Sequence, residues 1–274
     1  MSFLARLLAA QQRRDSLLCV GLDPEPSRFP EPWRGDAARI FDFCARIVDA
    51  TKDLVCAYKP QIAYFAAHRA EDQLERLMAY LRRVAPDVPV ILDAKRGDIG
   101  STAEQYAREA FVRYQADAVT LSPFMGYDSI EPYLAYDGRG LILLCRTSNE
   151  GGSDLQCQML TSGDRLYEHI AKLAAGPWNR SGRLGLVVGA TFAAEVARVR
   201  QLAPTLPLLI PGVGAQGGDA AAVVAAGWRA EGPIVVNASR SVLYAGAGEG
   251  FASAARDAAR AVREQLATAR AASV

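Results

Sequence analysis

The 274-residue sequence predicts an α/β fold, a closed (β/α)8 barrel of the TIM type built as a single domain over residues 1–274. Three observations predict it. Eight short apolar runs recur along the chain, each nearly continuously hydrophobic rather than alternating, which is the pattern of parallel strands buried on both faces. Longer stretches with helical spacing lie between the runs. No GxGxxG follows the first run to support a doubly wound open sheet, and barrels of this class reach ~250 residues as one domain.

Taken in order, Leu4, Leu7 and Leu8 share one face of an N-terminal helix over residues 1–13. The strands begin near Leu17 (LLCVGLD), Leu54 (LVCAYKP), Val88 (VPVILDAK), Asp117 (DAVTLSP), Gly140 (GLILLCRTS), Leu184 (LGLVVGAT), Leu206 (LPLLIPGVG) and Gly232 (GPIVVNASR). After the first strand, residues 23–36 hold four prolines and read as a long loop. A helix over 37–51 places Ile40, Phe41, Cys44, Ile47 and Val48 on one face, and another over 69–84 does the same with Leu74, Leu77, Met78 and Leu81. Ser101-Thr102-Ala103-Glu104 reads as a capping box opening the helix after the third strand. A C-terminal helix over 250–270 repeats Phe251, Ala255, Ala258, Val262 and Leu266.

Half of the residues are hydrophobic, enough for a large core, and 31 basic against 30 acidic residues leave a net charge of +1. That balance supplies no electrostatic reason for a nucleic acid or an anionic membrane as partner. The five cysteines, Cys19, Cys44, Cys56, Cys145 and Cys157, include no CxxC pair, and three of them lie in apolar runs. They predict a reducing cytoplasm without a disulfide framework. His68 and His169 stand far apart, which disfavours a histidine metal site. The N-terminal segment carries its basic residues after the leucines, the reverse of a signal peptide, and no uninterrupted apolar run reaches ~18 residues.

In such a barrel the chemistry gathers at the C-terminal ends of the strands. Seven of the eight ends carry polar candidates: Asp23, Lys59, Asp93 with Lys95, Ser122, Thr147 with Ser148, Gln216, and Ser239 with Arg240. The densest group is Asp93-x-Lys95-x-x-Asp98. Residues i and i+2 of a strand share a face, so Asp93 and Lys95 project together, and Lys59 at the end of the neighbouring strand completes an array of alternating charges. A purely structural salt-bridge network is the alternative reading. The second group is Pro211-Gly212-Val213-Gly214-Ala215-Gln216-Gly217-Gly218, followed by Ser239-Arg240. Glycine-rich backbone after strand seven and an Arg after strand eight are a pattern for phosphate.

Ile91-Leu92-Asp93-Ala94-Lys95-Arg96-Gly97-Asp98-Ile99-Gly100-Ser101-Thr102 resembles the signature of the orotidine 5′-phosphate decarboxylase family. GLDP at 21–24, YKPQ at 58–61 and PGVGAQGG at 211–218 resemble the same family in the same order, and TSNEGG at 147–152 is similar to its longer bacterial, type 2 subgroup. The resemblance implies cofactor-free decarboxylation of orotidine 5′-monophosphate to UMP and CO2 in pyrimidine biosynthesis, in a cytoplasmic homodimer with shared sites and no metal.

It implies that Lys95 protonates the C6 carbanion, Asp93 lies against the substrate carboxylate and Lys59 completes the charge array. Asp98 would come from the partner subunit with Ile99 and Thr102 alongside. Asp23 would contact the ribose, Ser148 the pyrimidine, and Gln216 and Arg240 the phosphate. The rival readings are a magnesium-dependent phosphosugar lyase such as a hexulose-phosphate synthase, a Schiff-base aldolase using Lys59 or Lys95, and a non-catalytic nucleotide-binding protein.

Overall fold

The computed structural model describes residues 1–212 and 219–273. Eight strands run parallel: β1 Leu18–Leu22, β2 Ala57–Pro60, β3 Ile91–Arg96, β4 Ala118–Leu121, β5 Gly140–Arg146, β6 Leu184–Val188, β7 Leu208–Pro211 and β8 Ile234–Ala238. Their hydrogen-bonded order is β2-β1-β8-β7-β6-β5-β4-β3. The remaining seam, between β2 and β3, is joined by the parallel bridges Tyr58↔Val90 and Gln61↔Asp93. The expected (β/α)8 barrel is therefore the architecture. Several strands start two or three residues later than expected, because burial begins before the ladder does. Leu54, Val55 and Val88 are already buried ahead of the first paired residues of β2 and β3.

The outer core lies between the strands and their helices. In the helix Ile40–Thr51 the buried face is Ile40, Phe43, Cys44, Ile47, Val48 and Thr51. Phe43, rather than the expected Phe41, points inward, and it stacks on Phe29 with 4.3 Å between ring centroids and on Phe251 at 5.2 Å. The helix is preceded by a short turn capped by Asp36, whose side chain accepts from the Ala38 amide at 2.9 Å. In Glu71–Val84 the buried face is the expected Leu74, Leu77, Met78 and Leu81. The C-terminal helix, Phe251–Ala271, buries Phe251, Ala255, Ala259, Leu266 and Ala269. Ala258 and Val262 lie at the margin of that face. The capping box is not formed. The helix after β3 begins at Gly100, with Ile99 at its N-cap and no side-chain cap, so Ser101 and Thr102 fall inside its first turn.

The barrel interior is a second core. Each strand contributes one residue to it: Cys19, Ala57, Ile91, Ala118, Ile142, Val187, Leu209 and Val235. Cys56, just before β2, joins that cluster, as do Phe3, Leu7 and Ala10 from the N-terminal helix, Phe3–Arg14, which closes the lower end of the barrel. Gly140 makes room for the plug, since a Cβ there would overlap the Phe3 ring. Gln11 fastens the helix to the far side of the barrel, its Nε2 donating to the Ile234 carbonyl at 2.7 Å. Leu7→Ala should cost about 2–5 kcal/mol of stability, the range for deleting a fully buried leucine side chain. Urea unfolding checks this, and a loss below about 1 kcal/mol would mean that the floor is not sealed by this helix.

Candidate active site

Along a strand, side chains two residues apart face the same way. Two positions on from the apolar interior layer, β2 offers Lys59, β3 Asp93, β4 Thr120, β5 Leu144 and β8 Asn237. Lys59, Asp93, Leu144 and Asn237 line a cavity of about 650 Å³ at the C-terminal ends of the strands. Asp23, Gln61, Tyr64, Lys95, Thr147, Ser148, Gly212, Ser239 and Arg240 also contribute to its wall. That volume suits a small organic ligand.

Asp93 organises the floor. Its Oδ2 accepts from Lys59 Nζ at 2.8 Å, and its Oδ1 accepts from Lys95 Nζ at 2.7 Å and from Thr120 Oγ1 at 2.8 Å. Lys59 is only 5% exposed. Asp23 Oδ1 stands 3.9 Å from its ammonium, and Ser239 Oγ hydrogen-bonds the other oxygen of Asp23. Tyr244 holds the same loop, its hydroxyl donating to the Asp23 carbonyl at 3.0 Å and accepting from the Glu25 amide at 2.7 Å.

Burial alone would favour neutral forms. It acts to lower the Lys59 pKa, but the charges of Asp93 and Asp23 outweigh it, and Lys59 is held above the ordinary lysine range. Burial likewise acts to raise Asp93, and the two lysines outweigh it, leaving its carboxyl well below the usual carboxylate range. Both shifts favour the charged forms of Lys59 and Asp93.

Asp93 and Lys95 meet, but not through regular strand alternation. The pairing of β3 with β4 steps from Leu92↔Val119 to Arg96↔Leu121, so extra residues of β3 bulge opposite Thr120. Lys95 sits in that bulge with φ 48°, in the left-handed region, and its side chain is 45% exposed toward the cavity while its head reaches back to Asp93. The second anion of the array is Asp23. Asp98 follows the bulge in the turn, where its Oδ1 accepts from the Ile99 amide at 2.9 Å. Asp98, exposed Ile99 and exposed Thr102 are not part of this chain's own cavity wall. Ser122 is not at the wall either: its amide bonds the Arg96 carbonyl at 2.7 Å, and its side chain packs beneath Gly97.

On the opposite wall, Thr147 and Ser148 follow β5. Gly189 lets them approach, since a Cβ there would meet the Ser148 amide nitrogen at 2.7 Å. Buried Arg146 braces this loop, with Nε on Glu195 at 2.7 Å and Nη2 on Ser153 Oγ at 3.0 Å. Gln156 adds a clasp, accepting from the Thr147 amide at 2.8 Å and donating to Thr147 Oγ1 at 2.9 Å. Arg240 opens the short helix Arg240–Leu243 after β8 and faces the same cavity. Gln216 lies outside the described residues.

Among the described residues, no three His, Cys, Asp or Glu side chains are grouped to hold a metal ion. The sequence model of the orotidine 5′-phosphate decarboxylase / HUMPS family matches residues 16–255.

The chain belongs to this family.

It is 77% identical to the orotidine 5′-phosphate decarboxylase of Methylibium petroleiphilum, over 98% of this chain and 100% of that one. With the orotidine 5′-phosphate decarboxylase of Paracidovorax citrulli it shares 73% identity, covering 98% of this chain and 100% of the relative. Among solved structures, the OMP decarboxylase of Leishmania donovani superposes with a TM-score of 0.86 at 40% identity, covering 98% and 99% of the two chains. The family match takes in every candidate from Asp23 to Arg240 and begins after the N-terminal helix.

Thr120, Asn237, Gln61 and Tyr244 were not singled out from the sequence. The signal for Thr120 and Asn237 was available: each lies two residues beyond an apolar interior position of its strand. Because the folded pKa of Asp93 is lowered, its contribution to stability is complete above the unfolded value of about 3.9 and is lost as pH falls below it. Asp93→Asn should flatten that acid limb of the unfolding profile from roughly pH 4 downward. Urea midpoints across this range provide the check, and an unchanged acid limb in the variant would show that Asp93 is not held ionised by the lysines.

Proposed function

We propose that this chain is a cytoplasmic enzyme, acting as one catalytic domain, that decarboxylates orotidine 5′-monophosphate to UMP and CO2 with its own side chains alone. One observation carries the reading: in a chain of this family, two ammonium groups converge on Asp93 at the floor of a cavity that would hold a nucleotide. The relatives it matches over nearly their whole length are orotidine 5′-phosphate decarboxylases.

Breaking the bond from C6 to the carboxylate leaves its electron pair on C6, where no cofactor delocalises it. The Lys95 ammonium attracts that charge more strongly as it develops, which is the differential binding that lowers a barrier. It then gives its proton to C6, becomes a neutral amine and is reprotonated from solvent. Asp93, itself fixed by Lys59, holds the Lys95 head in place, so little reorganisation accompanies the step. Asp23 fits the ribose: its Oδ1 and that of Asn237 are buried acceptors without a hydrogen-bond partner among the described residues, suited to sugar hydroxyls. Ser148 faces the pyrimidine, and Arg240 with Gln216 takes the phosphate, whose binding energy is realised remotely from the breaking bond.

The site would be completed in a homodimer. Ile99 is 46% exposed in the turn after β3, next in the chain to Asp98, and Phe124 and Met125 are 75% and 48% exposed in the turn after β4. A second copy covering these turns would receive Asp98, Ile99 and Thr102 into its own cavity. The balanced charge supports neither nucleic acid nor membrane surface as partner, and no helix among the described residues is long and apolar enough to cross a membrane. Cys19, Cys44, Cys56 and Cys145 are buried and unpaired, which suits a reducing compartment.

The deciding experiment is a spectrophotometric assay of purified protein with orotidine 5′-monophosphate and excess EDTA. Wild type should consume the substrate. Lys95→Ala should lose more than the roughly 10²–10⁴-fold typical of a general acid, because the same charge also stabilises the carbanion. Failure of the folded wild type on this substrate, together with magnesium-dependent turnover of a phosphosugar, would instead favour the phosphosugar-lyase reading. Mixing inactive Lys95→Ala and Asp98→Ala subunits should restore part of the activity through hybrid dimers. No recovery despite demonstrated subunit exchange would refute the shared site.

A further inference from the structure

A bulge removes backbone amides from the ladder, and buried amides need other acceptors. In β3 the amides of Ala94 and Lys95 are the ones displaced, and both donate to one atom, Thr120 Oγ1, at 3.0 Å each. The same oxygen donates its proton to Asp93 Oδ1 at 2.8 Å. A hydroxyl has one proton and two lone pairs, so these three bonds use its whole capacity. Thr120 is 1% exposed and does not reach the cavity wall. Its β4 neighbours pair on either side of the bulge, Val119 with Leu92 and Leu121 with Arg96, so the hydroxyl stands where the missing ladder bonds would be.

We propose that Thr120 is a positioning residue for the reaction, its hydroxyl pinning the left-handed bulge at Lys95 and the Asp93 carboxylate as one rigid unit. The inference rests on the decarboxylase reading above and deepens it, assigning the orientation of the proton donor to a residue that touches no substrate. A non-glycine residue at φ 48° persists only where its surroundings over-determine it. Here one oxygen ties the strained backbone to the carboxylate that the Lys95 ammonium must meet. Losing it would leave both charges in place while loosening their mutual geometry, and displacements of such groups are costly to catalysis.

Thr120→Val retains the branched shape and deletes all three bonds, whereas Thr120→Ser retains the hydroxyl. In the orotidine 5′-monophosphate assay, Thr120→Val should lower kcat about 10- to 100-fold, in line with lost hydrogen bonds to a charged group, with KM within about threefold. Thr120→Ser should stay within about threefold of wild-type kcat. Wild-type kcat in Thr120→Val, or equal losses in the two variants, would overturn the proposal.

Amide hydrogen exchange at Ala94 and Lys95, measured in the same proteins, does not depend on turnover. It should accelerate in Thr120→Val and remain as in wild type in Thr120→Ser. Were wild type inactive on this substrate, the decarboxylase reading would fall, and exchange would still decide on Thr120. Unchanged exchange in Thr120→Val would refute its hold on the bulge.

Discussion

Lys59 is a cation set at the end of a barrel strand, nearly out of reach of water, and the upper half of the molecule is arranged around that fact. An ammonium in such a place persists only with anions against it. Asp93 supplies one and Asp23 the other, so the ends of β1, β2 and β3 are tied together electrostatically where backbone pairing between β2 and β3 is reduced to isolated bridges. Asp93 in turn is over-supplied with donors, accepting from two lysines and a threonine. The arrangement is costly to bury and rigid once satisfied, which is what a site needs if it is to meet developing charge without first rearranging.

Much of the fold was legible because the barrel imposes a simple pattern. Strands buried on both faces must be apolar throughout, and eight such runs with helical stretches between them leave few architectures. Boundaries were less legible, since Leu54, Val55 and Val88 are buried without yet belonging to a ladder. Phe41 and Phe43 both satisfy a loose apolar spacing, and only the stack of Phe29, Phe43 and Phe251 decides which one enters the core. The capping box after β3 was a local signal overridden by the turn: Gly100, at φ 55°, starts the helix before Ser101 can cap it.

The candidate site divides in the same way. Lys59, Asp93, Lys95, Asp23, Ser148 and Arg240 come to one cavity, as expected for polar residues at strand ends. Strand alternation is only part of why Asp93 and Lys95 meet. Strand alternation cannot deliver Lys95 as it stands; a bulge and a left-handed backbone do, and neither has a sequence signature in Asp-Ala-Lys-Arg. The brace between Arg146 and Glu195 was illegible because its partners lie far apart in sequence and meet only when β5 and the helix after β6 come together.

The N-terminal helix has a consequence for how the chain comes to be folded. Its apolar face, Phe3, Leu7 and Ala10, has no surface to dock on until residues from all eight strands form a ring, and Gln11 waits for a carbonyl 223 positions away. A segment that precedes every strand in the chain is thus among the last to find its place. Contacts of such long range close slowly, because loop-closure entropy precedes their reward. Until then an amphipathic helix and an unsealed apolar tube are exposed together, two surfaces shaped for each other and equally open to another chain's copy. The plug of the finished barrel is, during synthesis, a segment that needs keeping apart from its neighbours.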